Sequence, residues 1–302
     1  MPILLFGSNG QLGWHLQRSL STLGEVTAVD HEHCDLAAPD VIRSLIGRVR
    51  PGIIVNAAAY TAVDRAESEP GLAHAINATA PAIMAEAAKA SGGLLVHYST
   101  DYVFDGSKAT PYVETDPTGS LSVYGASKRA GEEAIAAVGG RSLVFRTSWV
   151  FGEHGHNFVK TVLRLAGEGR PLRIVDDQVG APTPAALLAD VTGQILAATR
   201  RGSQIDDSRL YHLSAAGAVS WCGFAREILR LAAVIPGYEG LPAQESVIGI
   251  GTADYPTPAR RPANSRLDCK LLESDFDLDL PDWRPFLSRM LQLLALKKSN
   301  GY

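Results

Sequence analysis

The chain has 302 residues, of which 46% are hydrophobic and 20% are charged, and its formal net charge is −4. This composition is typical of a globular protein large enough for two lobes, and the lack of a long basic run argues against nucleic acid or an anionic membrane as a partner. Apolar runs are too short for a signal peptide or a transmembrane helix, and Cys34, Cys222 and Cys269 lie far apart, so we expect a cytoplasmic protein with free thiols.

Strand-like and helix-like segments alternate along the first half of the chain. The strand candidates are continuous apolar runs, as expected of parallel strands that are covered on both faces. They are residues 3–6, 26–29, 53–59, 94–99 and 142–147. The predicted helices are residues 11–23, 39–49, about 61–90 and 121–138. This alternation predicts an α/β fold with a Rossmann-type doubly wound parallel sheet.

The second half is less regular. We predict helices or strands at residues 158–166, 172–175, 185–198, 210–214 and 284–296, with a further helix after Ser220. Residues 236–266 are rich in Pro and Gly and predict loops. We expect a dinucleotide-binding domain in residues 1–157, which also includes about 185–215. Residues 158–184 and 216–302 would form a smaller, interleaved C-terminal substrate-binding lobe.

Three glycines follow the first strand candidate. Gly7, Gly10 and Gly13 lie between residues 3–6 and the first predicted helix. In such a strand–turn–helix, the first glycine permits a tight turn, the second lets a phosphate approach the backbone, and the third lets the helix pack on the strand. The spacing is one residue longer than in the general fingerprint, so an ordinary glycine turn is the alternative. The position before a helix favours a site for a dinucleotide pyrophosphate.

Asp30 closes the second strand candidate, 17 residues after Gly13. An acidic residue near this position accepts hydrogen bonds from the ribose hydroxyls of adenosine. Its charge would repel a 2′-phosphate, and no Arg or Lys follows within five residues. Asp30 therefore favours NADH over NADPH without settling the choice, and a turn aspartate is the alternative.

A tyrosine and a lysine lie four residues apart. Tyr124 and Lys128 come 24 and 28 residues after Thr100, and on a helix their side chains point the same way. A free phenol has a pKa of about 10, and a nearby ammonium lowers it, so Tyr124 can exchange a proton with a substrate oxygen. Thr100 would hold that oxygen, and Lys128 could also hold the nicotinamide ribose. With the glycine turn, this set predicts a nicotinamide-dependent oxidoreductase acting on a carbonyl or alcohol; a surface Tyr–Lys pair is the alternative.

Longer segments carry a family resemblance. They are residues 4–7, 55–64, 66–70, 98–104, 123–125, 145–150, 177–183 and 255–266. On these segments the chain resembles the extended short-chain dehydrogenases/reductases and, within them, the dTDP-4-dehydrorhamnose reductases. The resemblance implies a dTDP-sugar substrate: NADH or NADPH would reduce the C4 keto group of dTDP-4-dehydro-β-L-rhamnose to give dTDP-β-L-rhamnose for cell-surface polysaccharide.

The resemblance also implies roles for individual residues. Tyr124 would be the proton donor, with Thr100 and Lys128 as its catalytic partners. The positions that match sugar contacts are Thr100, Asp101 and Trp149. The positions that match cofactor contacts are Gly10, Gln11, Leu12, Asp30, Asp35, Leu36, Ala59, Tyr60, Thr61 and Tyr98. With Gly7, Gly13, Tyr124 and Lys128, they form the predicted cofactor site.

One departure from the family concerns a metal. Some members form a Mg²⁺-bridged dimer held by glutamates. At those positions this chain has His15, Ala186 and, near its C-terminus, Gln292 and Leu293. Because hard cations prefer carboxylate oxygens, we expect no Mg²⁺ site of that kind, and a monomer or weak homodimer.

Two other functions stay open. Substrate choice on this scaffold lies in loops, so another nucleotide-deoxysugar reductase or an epimerase is an alternative. Members of the superfamily also serve as non-catalytic regulatory subunits, although the intact Thr100, Tyr124 and Lys128 argue against that role. Arg261 and Arg266 would suit a pyrophosphate, but we interpret them as surface residues.

Overall fold

A six-stranded sheet forms the centre of the molecule. A computed structural model describes residues 1–200, 205 and 207–299; residues 201–204, 206 and 300–302, which fall within the predicted domains, lie outside the described residues. The described strands are β1 (Ile3–Phe6), β2 (Val26–Val29), β3 (Ile53–Asn56), β4 (Leu94–Thr100), β5 (Ser142–Thr147), β6 (Val150–Phe151), β7 (Arg173–Val175), β8 (Val179–Gly180), β9 (Thr183–Pro184), β10 (Ser208–His212), β11 (Val219–Ser220) and β12 (Ile248–Ile250).

The order of strands in the main sheet is β10-β5-β4-β3-β1-β2, and all neighbours are parallel. The chain leaves β1 toward β2 on one side and returns to β3 on the other side. At such a switch point the loops after the two strands diverge, and open α/β sheets bind their ligands in the resulting crevice. The predicted doubly wound parallel sheet is confirmed.

Helices cover both faces of the sheet. They are α1 (Gln11–Ser21), α2 (Pro39–Val49), α3 (Val63–Ala66), α4 (Pro70–His74), α5 (Ala80–Ser91), α6 (Val123–Val138), α7 (Phe158–Gly167), α8 (Ala185–Arg200), α9 (Trp221–Ala232), α10 (Lys270–Phe276) and α11 (Arg284–Ser299). Among the described residues, no helix is long and apolar enough to span a bilayer.

Successive residues of each central strand point to opposite faces, so each strand supplies two cores. In β1, Ile3 and Leu5 join the core beneath α1 and α8, whereas Leu4 and Phe6 join the core beneath α2 and α5. All four are at most 1% exposed. This two-sided burial is the physical reason why the strands read as continuous apolar runs.

The largest differences from the predicted segments lie in the third strand and the helix that follows it. The third strand ends at Asn56 rather than at residue 59, and the long helix expected at 61–90 is broken into α3, α4, a π-helical turn (Ala75–Thr79) and α5. Prolines lie in the first turn of two of the new helices: Pro70 begins α4 and Pro81 is the second residue of α5, where no N–H partner is needed. The π turn, which points Asn77 toward the loop after β3, is a common feature of functional sites.

The C-terminal elements form a smaller layer beside the sheet. Strand β12 pairs with β7 in parallel, and β11 pairs with β8 in antiparallel fashion. The loop-rich segment 236–266 therefore contributes one short strand. Strand β10 extends the main sheet beyond β5, and the exact division between the two lobes stays a prediction.

Candidate active site

The glycine turn forms a close strand–helix junction. Gly7 has φ +83°, and a Cβ on it would lie 2.7 Å from the backbone nitrogen of Ala58. A Cβ on Gly13 would lie 1.9 Å from the Gly7 carbonyl oxygen. Gly10 is the N-cap of α1 and provides no side-chain cap. The first amides of α1 therefore stay available at the carboxyl edge of the sheet, which suits a phosphate group.

The next two predicted cofactor residues begin α1. Gln11 donates to the Val150 carbonyl (3.4 Å) and accepts from Asn157 (2.9 Å). Leu12 lies in the core beneath the turn and is 8% exposed. Only the backbone of Leu12 is therefore free to face a ligand, whereas Gln11 ties the turn to the loop after β6.

A cavity of about 130 Å³ lies between the ends of β1, β2 and β3. It brings together five of the predicted cofactor residues with several neighbours. Its lining residues are Phe6, Gly7, Asp30, His31, Cys34, Asp35, Leu36, Ala58, Ala59 and Ile76. Asp35 is exposed and accepts from the Ala37 backbone N–H at 2.8 Å, so its side chain shapes the turn.

Asp30 is held by several donors in this cavity. Its Oδ1 lies 2.6 Å from His33 Nδ1 and accepts the backbone N–H groups of Glu32 and His33, while Asn9 donates to Oδ2. The hydrogen bond with His33 lowers the pKa of Asp30 and raises that of His33. The cationic partner of Asp30 is therefore His33, whereas only Arg or Lys was expected to act as a cation at this position.

The loop after β3 is fixed by Asn77 from the π turn. Asn77 Oδ1 accepts the Tyr60 N–H at 2.8 Å, and its Nδ2 donates to the Tyr60 carbonyl and to Ser127 Oγ, each at 3.0 Å. Tyr60 Oη donates to Glu69, and Thr61 is exposed. Asn77 thus positions the predicted segment 59–61, a role that no local sequence signal indicates.

Tyr124 and Thr100 meet at the carboxyl end of β4. Tyr124 lies in the first turn of α6, which Ser122 caps by accepting from the Gly125 N–H at 3.2 Å. A Cβ on Gly125 would lie 2.1 Å from the Tyr102 carbonyl oxygen, so glycine lets α6 approach the end of β4. Thr100 Oγ1 donates to Asp101 Oδ1 at 2.9 Å.

Burial dominates the electrostatics of this cluster. It raises the pKa of Tyr124 to about 12, against the opposing hydrogen bond of Thr100, so the expectation that a nearby ammonium lowers this pKa was wrong. It also raises the pKa of Asp101 to about 6. Side-chain hydrogen bonds from Ser265 and Thr100 oppose this rise. Among the described residues Oδ2 itself is buried and has no partner within strict hydrogen-bond geometry. At neutral pH the phenol therefore carries its proton and the carboxyl group is largely ionised.

Lys128 lies one turn beyond Tyr124 and is only 1% exposed. Its Nζ donates to the Tyr98 carbonyl at 2.6 Å and lies 3.2 Å from His97 Nε2. The Tyr98 phenol points the other way, into the core, where it lies 2.7 Å from Thr192 Oγ1. Burial lowers the pKa of Lys128 to about 8, and the charge of Glu132 opposes this.

Trp149 has an unusual backbone and a packed ring. Its φ is +46°, a left-handed conformation that is costly for a bulky residue. The indole stacks on Trp221, with ring centroids 3.5 Å apart, and a Cβ on Gly180 would lie 2.5 Å from it. The indole that is predicted to contact the sugar is therefore one half of a stacked aromatic pair.

A larger cavity of about 430 Å³ lies in the C-terminal layer next to this pair. Its lining residues include Phe158, Trp221, Tyr255, Arg170, Arg173 and Arg261. Arg261 also donates to Asp64 Oδ2 at 2.7 Å, which links this layer to α3. The interpretation of Arg261 as a surface residue was wrong, because its side chain is half-buried and lines this cavity. Arg266 instead holds the loop at Ala109 and Asn264.

The residues that replace the family's magnesium ligands lie around another cavity, of about 320 Å³. His15 lies 3.3 Å from Glu153, and Ala186 and Leu293 line the same space. Across residues 1–200, 205 and 207–299, no group of three His, Cys, Asp or Glu side chains is placed to hold a metal ion. The absence of magnesium and the oligomeric state stay predictions.

The sheet, its glycine turn and the Thr100–Tyr124–Lys128 cluster define the extended class of short-chain dehydrogenases/reductases. A family model described as "RmlD substrate binding domain" matches residues 1–296. The chain belongs to that family, the dTDP-4-dehydrorhamnose reductases, and is an NAD(P)-dependent oxidoreductase.

Named relatives cover nearly the whole chain. It is 48% identical to the dTDP-4-dehydrorhamnose reductase of Burkholderia thailandensis, over 94% of this chain and 96% of that protein. It is 46% identical to that of Escherichia coli K12, over 97% and 98%. The crystal structure of the Bacillus anthracis enzyme in complex with NADP has a TM-score of 0.86 at 33% identity, covering 96% of this chain and 98% of that one. The family resemblance inferred from the sequence is confirmed.

Proposed function

We propose that the protein reduces the C4 keto group of dTDP-4-dehydro-β-L-rhamnose to give dTDP-β-L-rhamnose, with NADH or NADPH as reductant. The observation that carries the mechanism is the position of Tyr124, whose protonated phenol lies beside Thr100 at the carboxyl end of β4 and one helical turn from Lys128. A reduction needs such an acid, because the carbonyl oxygen gains a proton as carbon gains hydride. The identical activity named for close relatives supports the substrate.

The chain's own residues suit a dinucleotide. The glycine cradle has no room for a Cβ at Gly7 or Gly13, and the cavity at Asp30 lies at the switch point of the sheet. When bound, the nicotinamide supplies the hydride. Tyr124 donates its proton to the substrate oxygen, and Thr100 turns its single hydroxyl proton from Asp101 Oδ1 toward that oxygen. Lys128 supports Tyr124 and holds the ribose next to the nicotinamide.

The remaining substrate groups have matching partners. The Asp101 carboxylate, which Thr100 and Ser265 hold by hydrogen bonds, can also accept from a sugar hydroxyl through Oδ2. The aromatic pair Trp149–Trp221 offers an apolar surface for the methyl-bearing sugar. We assign the thymidine diphosphate to the 430 Å³ cavity, where aromatic residues can pack on the base and Arg170, Arg173 and Arg261 can bind phosphates.

The direct test is nicotinamide oxidation with enzymatically generated dTDP-4-dehydro-6-deoxyglucose, with and without the 3,5-epimerase. Oxidation only in the presence of the epimerase is expected. Oxidation without it would indicate a different deoxysugar reductase, and a product with the other C4 configuration by NMR would indicate the talose-forming reaction. No oxidation in either mixture would contradict the proposed function.

We also propose that both NADH and NADPH are accepted. The carboxylate that would repel a 2′-phosphate is already engaged by His33, Asn9 and two backbone N–H groups. His33 is exposed beside it and, when protonated, offsets its charge and can attract the phosphate. The relative crystallised with NADP is in keeping with this proposal.

His33→Gln is expected to shift cofactor preference toward NADH by about two- to fivefold in kcat/KM, because Asp30 loses its cationic partner. Since the pKa of His33 is raised, its charge is present at low pH and is lost as pH rises through that pKa. The wild-type ratio of kcat/KM for NADPH to kcat/KM for NADH should therefore fall with rising pH, and the variant should lose this trend. His31→Gln is the matched control, since no hydrogen bond joins His31 to Asp30 among the described contacts. Equal trends in both variants would contradict the role of His33.

The raised pKa of Asp101 leads us to expect that substrate binding depends on pH. Because its pKa is raised to about 6, the carboxylate that accepts a sugar hydroxyl is present above that pH and is lost below it. The KM for the dTDP-sugar, measured at saturating cofactor, should rise as pH falls through about 6. Asp101→Asn should raise KM and remove the dependence; an unchanged dependence in the variant would contradict the assignment.

A further inference from the structure

A buried row of polar side chains lies beneath the proposed catalytic cluster. Asn56 ends β3, His97 is its register partner on β4, and Lys128 comes from α6. Their fractional exposures are 1%, 0% and 1%. Asn56 Nδ2 lies 3.1 Å from His97 Nδ1, and His97 Nε2 lies 3.2 Å from Lys128 Nζ. The mechanism above uses only the last of the three.

The direction of the hydrogen bonds follows from the backbone. The Ala58 N–H donates to Asn56 Oδ1 at 3.1 Å, which fixes the orientation of the amide. The amide NH₂ therefore faces His97, and an NH₂ group can only donate. His97 Nδ1 must accept this hydrogen bond. Burial lowers the pKa of His97 well below its usual value, so the ring is neutral and carries its single proton on Nε2.

This tautomer constrains Lys128. The His97 Nε2–H points at Lys128 Nζ, and an ammonium has three donors and no acceptor. A hydrogen bond between them therefore exists only when Lys128 is the neutral amine, which then donates to the Tyr98 carbonyl. Protonation of Lys128 places two N–H donors against each other where water cannot separate them, which is costly in a buried site.

We infer that Asn56 and His97 are positioning residues that disfavour the ammonium form of Lys128 and so set the pH at which Lys128 releases its proton. The inference rests on the proposed function only for the kinetic role of Lys128. The charged group that acts on Lys128 besides His97 is Glu132, one turn further along α6, which is ion-paired with Arg146 on β5. Glu132 favours the ammonium, but Arg146 engages both of its carboxylate oxygens.

The tautomer can be measured without turnover. In protein carrying ¹⁵N-labelled histidine, two-bond ¹H–¹⁵N spectra at neutral pH should show His97 as the Nε2–H tautomer. His212 is an internal reference, because it is equally buried and its Nδ1 lies 3.0 Å from the Tyr112 carbonyl oxygen, which requires the Nδ1–H tautomer. His97→Gln and His212→Gln assign the two signals. Finding His97 as Nδ1–H, or as a cation, would overturn the inference.

Asn56→Asp should reverse the direction of the hydrogen bonds from residue 56 through His97 to Lys128. A carboxylate accepts from both Ala58 N–H and His97 Nδ1–H, so Nε2 becomes an acceptor for the Lys128 ammonium. The His97 signal should change to the Nδ1–H tautomer. Because the proposed mechanism uses the Lys128 ammonium to support Tyr124, kcat should fall at high pH as Lys128 loses its proton, and this basic limb should move up by about one pH unit or more. His212→Gln should leave that limb in place. An unmoved limb in an active, folded Asn56→Asp variant would overturn the kinetic part of the inference.

The outcomes also separate this inference from the proposed function. If the protein shows the expected tautomers but fails to reduce the dTDP-sugar, the inference about the buried row stands and the proposed function is wrong. If the protein reduces the dTDP-sugar but His97 has the Nδ1–H tautomer, the proposed function stands and the inference about the buried row is wrong. If Asn56→Asp does not fold, the wild-type tautomer alone decides whether the row has the inferred direction.

Discussion

Tyr124→Phe is expected to lower kcat by about 10²–10⁴-fold, the usual contribution of a positioned general acid. The substitution removes one hydroxyl and keeps the ring that packs against Tyr102, with centroids 5.7 Å apart. Because the phenol hydroxyl acts on the substrate oxygen and not on the glycine cradle, the dissociation constants of NADH and NADPH should change little. Stopped-flow turnover and fluorescence titration of the cofactor measure the two quantities separately.

Tyr102→Phe is the matched control. It also removes one phenol hydroxyl from the same cluster, but it keeps the Tyr102 backbone N–H that donates to Thr100 Oγ1 at 3.2 Å. Its effect on kcat should be far smaller than that of Tyr124→Phe. Near-full turnover of Tyr124→Phe would show that another group donates the proton, and Asp101 would be the next candidate because it is linked to Thr100.

The sequence predicts those parts of the site that depend on local spacing. The separation between Tyr124 and Lys128 places both on one face of α6, and the glycine turn marks the junction of β1 and α1. These features need only a strand, a turn and a helix, and each is encoded within a few residues. The parallel sheet is predicted for the same reason, since its buried strands are apolar throughout.

Features that depend on distant partners were missed or only partly predicted. His97 lies within an apolar run, and nothing local indicates that it contacts Asn56 and Lys128. Asn77 fixes the loop at Tyr60 only because the expected long helix is broken by a π turn. Such contacts arise from the packing of separate elements, so a single sequence carries no periodic signal for them.

A second large effect is expected from a buried ion pair behind the site. Arg146 on β5 donates from Nε and Nη2 to the two carboxylate oxygens of Glu132 on α6, at 2.9 and 2.6 Å. The two side chains are only 6% and 7% exposed. Removing one partner leaves an uncompensated charge in a poorly solvated place, so Glu132→Leu should lower the free energy of unfolding by about 3–5 kcal/mol.

The double variant Glu132→Leu/Arg146→Met decides whether charge or shape is responsible. Apolar replacements of a whole buried pair are often tolerated, so most of the stability lost in the single variant should return in urea unfolding. Glu86→Gln, which breaks the exposed Arg43–Glu86 pair, should cost no more than about 1 kcal/mol. The double variant removes the Glu132 carboxylate, whose charge favours the ammonium form of Lys128, together with the Arg146 guanidinium that engages it. Because two opposite charges leave together, the pH dependence of kcat should stay close to that of the wild type, and a clear shift would show that Glu132 acts on Lys128 without being offset by Arg146.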